Sequence, residues 1–300
     1  MSILTLDPHH PLPLLGAIRT DAPGFAQLVQ WYGRALLLRD QPVLLDLRGL
    51  QWLDANQCAL LGAMLHDLEQ GRGLVFGVDG AVVRQRFGVL LQNGFLADPT
   101  AEAGSRPGNS TTSVQMQAFD VADTAAFLNY VANGLFQQPD MSTACTVTER
   151  GNITSHLLEI FTNVKRHAET ERPLFVCGQY YPKTQQLKIS LTDLGRGYLG
   201  PIQDYTNRPQ YRGQSGPVLL PEAALRWALT GHNSSLPERT GGLGLKLLRD
   251  YCIGRGGELH LVSDGCYLTV QRGPTGQPVY TVATVPPFQG STVHVVFNCA

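Results

Sequence analysis

Apolar residues follow two rhythms along this chain, one of period two and one of period 3.6, and they alternate in short blocks. PVLLDLRG (42–49) is a compact apolar run closed by glycine, the pattern of a buried strand. WLDANQCALLGAMLHDLEQGRG follows, in which Leu60, Leu61, Met64, Leu65 and Leu68 draw a helical apolar stripe. Asp54 stands at the capping position and Gly71 at the stop. GLVFGV (73–78) predicts a second buried strand, and VVRQRFGVLLQNGF a short helix ending at Gly94. Strand, helix, strand, helix at these lengths predicts parallel β-structure packed on helices.

Beyond residue 112 the pattern changes. SVQMQAF (113–119) alternates like a strand, and DVADTAAFLNYVANGLFQ (120–137) reads as an amphipathic helix with Asp120 as its cap. A helix from about Asn152 to Ala168 comes next, with Leu157, Phe161, Val164 and Ala168 as its apolar stripe. PLFVCGQYY (173–181) and QLKISLTD (186–193) predict a hairpin, the second strand half-buried because Lys188 and Ser190 alternate with Leu187, Ile189 and Leu191. Residues 194–217 read as irregular. PEAALRWALTG (221–231) has proline at its start and glycine at its end, as helices do. A polar loop, HNSSLPERTGG, precedes a helix in LGLKLLRDYCIGRGG, and four strands close the chain: ELHLVSD, CYLTVQRG, PVYTVATV and STVHVVFNC. Helices on one face of a mixed or antiparallel sheet define an α+β sandwich.

Composition narrows the function classes. The chain has 300 residues, 43% apolar and 16% charged, which is ample for a core. A net charge of −1 gives no basic field that would select nucleic acid or an anionic membrane. The six cysteines form no CxxC pair and have no zinc-ligand spacing, so they read as reduced core thiols. Asp7 and the prolines at 8, 11 and 13 interrupt the first apolar stretch, and no run approaches the ~20 residues of a membrane span. A cytoplasmic location is expected. AEAGSRPGNSTTS (101–113) reads as a linker and divides the chain into domains at about 1–105 and 106–300.

Three stretches carry candidate chemistry. Glu159, Asn163 and His167 follow at four-residue spacing and turn only about 40° per step, so they form a polar ridge beside the apolar stripe. A solvated helix face accounts for that ridge without any function. TDLGRG (192–197) ends a strand at Asp193 and follows it with Gly195 and Gly197. A carboxylate there can accept from an exocyclic amine while glycine backbone approaches a planar ligand closely. A plain Asp-Gly turn is the simpler alternative. TGGLGLKLL (240–248) places glycines at 241, 242 and 244 before a helix whose free N–H groups suit phosphate oxygens. It is neither a GxxxxGK[ST] loop nor a Rossmann fingerprint.

In this order the three boxes resemble the GHKL ATPase superfamily: gyrase-type ATPases, ninety-kilodalton heat-shock chaperones, histidine kinases, mismatch-repair ATPases and, close by, anti-sigma serine kinases. LLEIFTNVKRHA matches its E…N…H/K helix, TDLGRG its DxGxG box and TGGLGL its GxGL box, with GGELHLVSDGCYLTV and GSTVHVVF as lesser support. Leu194 stands where many relatives have Asn. Residues 40–100, through LLDLRGLQWLDANQCALLGAMLHDLEQGRGLVFGV, resemble a STAS domain, the fold of anti-anti-sigma factors. That family commonly has Asp-Ser at the helix start, the serine being phosphorylated. Here the pair is Asp54-Ala55, so no such switch is available.

The resemblance implies an α+β chain with a C-terminal Bergerat-type sandwich preceded by a smaller STAS-like α/β domain. It implies Asn163 as the Mg²⁺ ligand, Glu159 as general base and His167 facing a phosphate. Asp193 would hold the adenine amine, with Gly195 and Gly197 permitting close approach. Gly241, Gly242, Leu243, Gly244 and Leu245 would lie at the phosphates, under a lid of about 231–241, and Thr292 near the adenine. Lys246 and Arg239 are weaker phosphate partners, better explained as solvated charges. The cofactors expected are ATP and Mg²⁺. The activity expected is ATP hydrolysis or phosphorylation of a protein partner, with the STAS-like half serving partner docking or homodimer formation. The alternatives are a nucleotide-gated interaction module with little turnover and a degenerate fold that binds no nucleotide.

Overall fold

The computed structural model describes residues 10–97, 112–136, 139–208, 218, 220–231 and 243–299. Most of the expected linker, the expected lid, Arg239, Gly241, Gly242 and the Asp7–Pro8 interruption lie outside the described residues.

In chain order the first half runs β1 (Pro11–Pro13), β2 (Gly16–Ile18), α1 (Ala22–Ala35), β3 (Pro42–Asp46), β4 (Leu50–Leu53), α2 (Cys58–Arg72), β5 (Val75–Gly77), α3 (Gly80–Arg86) and α4 (Val89–Gln92). β1, β3 and β5 form a parallel sheet in that order, and β2 pairs in parallel with β4. The parallel β-structure expected from the pattern is present. α1 lies in the DAPG stretch: Asp21 accepts from the Gly24 N–H at 2.8 Å and Pro23 occupies its first turn. α2 stops at Gly73, at φ 65°, and not at Gly71. The expected single helix up to Gly94 is two short ones, α3 and α4.

The second half runs β6 (Ser113–Phe119), α5 (Thr124–Asn129), α6 (Pro139–Ala144), α7 (Val147–His167), β7 (Leu174–Tyr181), β8 (Gln186–Asp193), α8 (Leu199–Thr206), α9 (Pro221–Ala228), α10 (Gly244–Gly254), β9 (Glu258–Ser263), β10 (Cys266–Arg272), β11 (Pro278–Thr284) and β12 (Ser291–Asn298). α5 is capped by Asp123, not Asp120, and widens into a π-helical stretch at Tyr130–Leu135. α7 starts earlier than its apolar stripe suggested, at a capping box in which Thr146 and Glu149 bond each other's backbone N–H. α8 falls in the stretch read as irregular. The Asp264 carboxylate, from the β9–β10 turn, accepts the N–H groups of Tyr198 and Leu199 at its start, a tertiary cap that local sequence does not announce.

Seven strands form one antiparallel sheet in the order β11-β10-β9-β12-β8-β7-β6. Leu187, Ile189 and Leu191 of β8 and Val293, Val295 and Phe297 of β12 join the core formed with α5, α7 and α10. The alternate residues face the first half: Phe175 and Cys177 of β7, Val262 of β9 and Tyr267 of β10 belong to the core of α1 and α2. Gly62 of α2 packs on the Met116 side chain of β6 and the Phe175 ring of β7. β8 is therefore covered on both faces at its C-terminal end, and Ser190 and Thr192 are 2% and 0% exposed. The half-buried reading holds at Lys188, which keeps partial exposure, and fails at Ser190 and Thr192, where the first half supplies the second layer.

A polar seam joins the layers. The Asn56 amide donates to Ser190 Oγ at 2.9 Å and to Thr20 Oγ1 at 2.9 Å, and lies 3.1 Å from His294 Nδ1. Asp54 does not cap α2. A 3₁₀ turn, Ala55–Gln57, intervenes, and the Asp54 carboxylate accepts from the Thr20 N–H (2.8 Å) and the Trp52 indole (2.7 Å).

Candidate functional site

α7 carries the ridge. Glu159, Asn163 and His167 are all half-buried on it. Among the described residues neither the Glu159 carboxylate nor the Asn163 amide has a hydrogen-bond partner. Burial, and then the charge of Arg166, hold the His167 imidazole below its ordinary range.

The Asp193 loop meets the end of this helix. Gly195 is packed so tightly on Ala168 that a Cβ would fall inside 3.0 Å of its backbone, and the Arg196 N–H donates to the Ala168 carbonyl at 3.0 Å. Arg196 ties the junction further through ion pairs to Glu169 (2.7 Å) and Asp204. Gly197, at φ 69°, packs on Ser263 and Asp264.

Asp193 itself is only 3% exposed. Burial raises its carboxyl above the usual range, opposed by the Ser291 hydroxyl and the Gly195 N–H, which donates at 2.8 Å. By strand alternation Asp193 and its register partner Ser291 lie on the helix face of the sheet with Leu191 and Val293. Thr292 lies on the opposite face, 3.1 Å from the Thr192 hydroxyl and paired across from it. The structure therefore does not bring Thr292 to Asp193. Ser291 is the hydroxyl there, one residue earlier in the same GST stretch. Gly290 precedes it at φ 111°, where a Cβ would collide with the Asp193 carbonyl. Sequence reasoning also passed over Tyr198, half-buried beside the loop, whose hydroxyl is shifted upward by desolvation and then by Asp193. A tyrosine just past the DLGRG box was the signal available.

The start of α10 meets the other end of the ridge. Gly244 is its first residue and lies against the Glu159 side chain, with Leu245 buried beneath and Leu243 exposed. Lys246 pairs with Asp250 at 3.0 Å, consistent with a surface charge. From Glu159 to Ala168 the helix rises about 13 Å. The ridge thus runs between a glycine-led helix start and a buried carboxylate on a glycine loop. Among the described residues no cluster of three or more His, Cys, Asp or Glu is arranged to hold a metal, and no helix is long and apolar enough to cross a membrane.

No known family model matches the sequence, and no curated protein matches it. Solved structures similar to part of the chain include the ATPase region of Saccharomyces cerevisiae topoisomerase II, at 13% identity and a TM-score of 0.25, over 40% of this chain and 30% of that one. The ATPase and transducer domains of DNA topoisomerase II from Balamuthia mandrillaris are similar at 16% identity and a TM-score of 0.22, over 39% of this chain and 29% of that one. The chain thus matches less than a third of the length of either.

Proposed function

We propose that this protein binds Mg-ATP in the manner of the GHKL superfamily and turns it over slowly, by hydrolysis or by transfer to a protein partner. The observation that carries the reading is the convergence on α7: the Asp193 loop docks on Ala168 while the start of α10 lies against Glu159. Three stretches far apart in sequence thereby frame one polar ridge, with a span suited to a ligand that has a base at one end and phosphates at the other.

The roles follow from chemistry. Asp193 accepts the adenine amine, with Ser291 and Gly195 orienting its two oxygens. The first turn of α10 faces the phosphates, because a helix start leaves N–H groups without intrahelical partners. Asn163 fits Mg²⁺: its amide oxygen is an unpartnered hard donor, and an ion that keeps several waters needs few protein ligands. When bound, Mg²⁺ neutralises phosphate charge. Glu159, one turn before Asn163, is the group able to orient and deprotonate an attacking water or hydroxyl. His167 donates to a phosphate oxygen.

The seam favours an internal role for the first half. Ala55 is 1% exposed and its loop is bonded to Ser190, so this corner is docked on the chain's own sheet. In this reading the STAS-like half steadies the sheet, and a protein partner or second copy binds elsewhere on it. A nucleotide-gated module with little turnover remains the second reading, favoured by the low exposure of Asp193.

Titration with Mg-ATP, followed by melting temperature and phosphate release, tests the proposal. A raised melting temperature that Asn163→Ala abolishes, with release lost in Glu159→Ala while binding persists, is expected. No shift at millimolar Mg-ATP refutes nucleotide binding, and binding without release or label transfer selects the gated module.

A further inference from the structure

Gly244 is crowded by a side chain. A Cβ at this position would fall inside 3.0 Å of the Cγ, Cδ and Oε1 atoms of Glu159, a distance that real Cβ contacts do not reach. Its backbone makes no such demand. Gly244 is not among the residues of positive φ, and Leu243 before it has ordinary helical angles, φ −84° and ψ −20°. Room, and not conformational freedom, is what glycine supplies here: a Cβ would displace the Glu159 side chain. The room is taken by the acid of the α7 ridge, whose carboxylate thereby lies at the positive end of α10, a favourable place for an anion.

We infer that Gly244 is a positioning residue for Glu159: the missing side chain at the start of α10 is the seat that holds the Glu159 carboxylate at the phosphate end of the ridge. This deepens the nucleotide reading and rests on it. It gives the last glycine of the GGLG stretch a duty toward the base that is separate from contact with phosphate. Without the seat, Glu159 must swing away along the ridge, and the base loses its place while Asp193 and Asn163 keep theirs.

The test combines Gly244→Ala with Glu159→Ala and reads the contact and its consequence separately. In the ligand-free protein Gly244→Ala lowers the melting temperature when Glu159 is present. In the Glu159→Ala background the same change has no cost or raises the melting temperature, because alanine is favoured over glycine in a helix. Equal effects in the two backgrounds overturn the inference. In the Mg-ATP assay, Gly244→Ala lowers kcat at least tenfold, and by a larger factor than it weakens nucleotide affinity. Glu159→Asp, shorter by one methylene, restores part of that kcat in the Gly244→Ala background. Unchanged kcat, or binding and turnover lost together, overturns the positioning role. If the unaltered protein binds no nucleotide, the functional reading fails, while the melting comparison still decides the contact.

Discussion

Asp193 is a buried carboxylate that keeps an acceptor at the end of β8 only because Ser291 and Gly195 donate to it. Replacing the acceptor by a donor, Asp193→Asn, is expected to weaken adenine nucleotide binding by about 1.5–3 kcal/mol, the worth of a hydrogen bond to a charged group. Isothermal titration checks this, and an affinity equal to that of the unaltered chain rejects Asp193 as the base-binding residue. Gly290 is a second single-residue dependence. Its φ of 111° and the Asp193 carbonyl beside it leave no place for a side chain, so Gly290→Ala costs at least about 2 kcal/mol of stability. Urea unfolding measures it.

At the scale of elements, α7 does most to place the site. Its capping box fixes where the helix begins and so which residues face α10 and which face the Asp193 loop. Glu149 of that box also pairs with Arg255, at the end of α10, which ties the two site helices together. Thr146→Ala removes one acceptor and is expected to cost about 1 kcal/mol. Glu149→Ala removes the box and the ion pair at once and is expected to cost more than Thr146→Ala. Chemical denaturation of the two variants side by side decides; equal losses would mean that the part-buried Arg255 pair contributes nothing.

At the scale of the whole molecule, the large sheet is a layer shared by two cores. Phe175, Val262, Tyr267, Val285 and Phe288 belong to the core of the first half, although all lie in the second. Residues 106–300 alone would expose them, and are expected to aggregate more than the full chain; size-exclusion chromatography of the two side by side checks this. The seam adds a pH dependence. Burial, followed by the charges of His260 and Lys188, holds His294 well below its ordinary value of 6.5. Asn56, Ser190 and His260 face its ring, with Glu258 and Tyr267 bonded to His260. The folded state resists a proton that the unfolded chain accepts. The His294 contribution is therefore complete above about pH 6.5 and falls by up to about 1.4 kcal/mol per pH unit below it. His294→Gln removes that part of the slope; an unchanged pH profile between pH 5 and 7 contradicts the argument.

Local pattern was enough to read β6, β8 and the four closing strands nearly to the residue, because alternation and flanking glycines are written in the chain itself. It marked Glu159, Asn163 and His167 as a polar ridge beside an apolar stripe and Asp193 as an acid at a strand end, but their proposed roles came from the order of the three boxes and not from the pattern of any one. It could not find α8, whose cap comes from Asp264 in another hairpin, nor tell Ser291 from Thr292, because which hydroxyl reaches Asp193 depends on which face of β12 turns toward α7. It read Ser190 as lying on an open face like Lys188 because period-two alternation marks two faces and does not say what covers the second. That choice belonged to the first half: once α2 and the Asn56 loop settle on the sheet, polar positions that water would have satisfied are satisfied by one another.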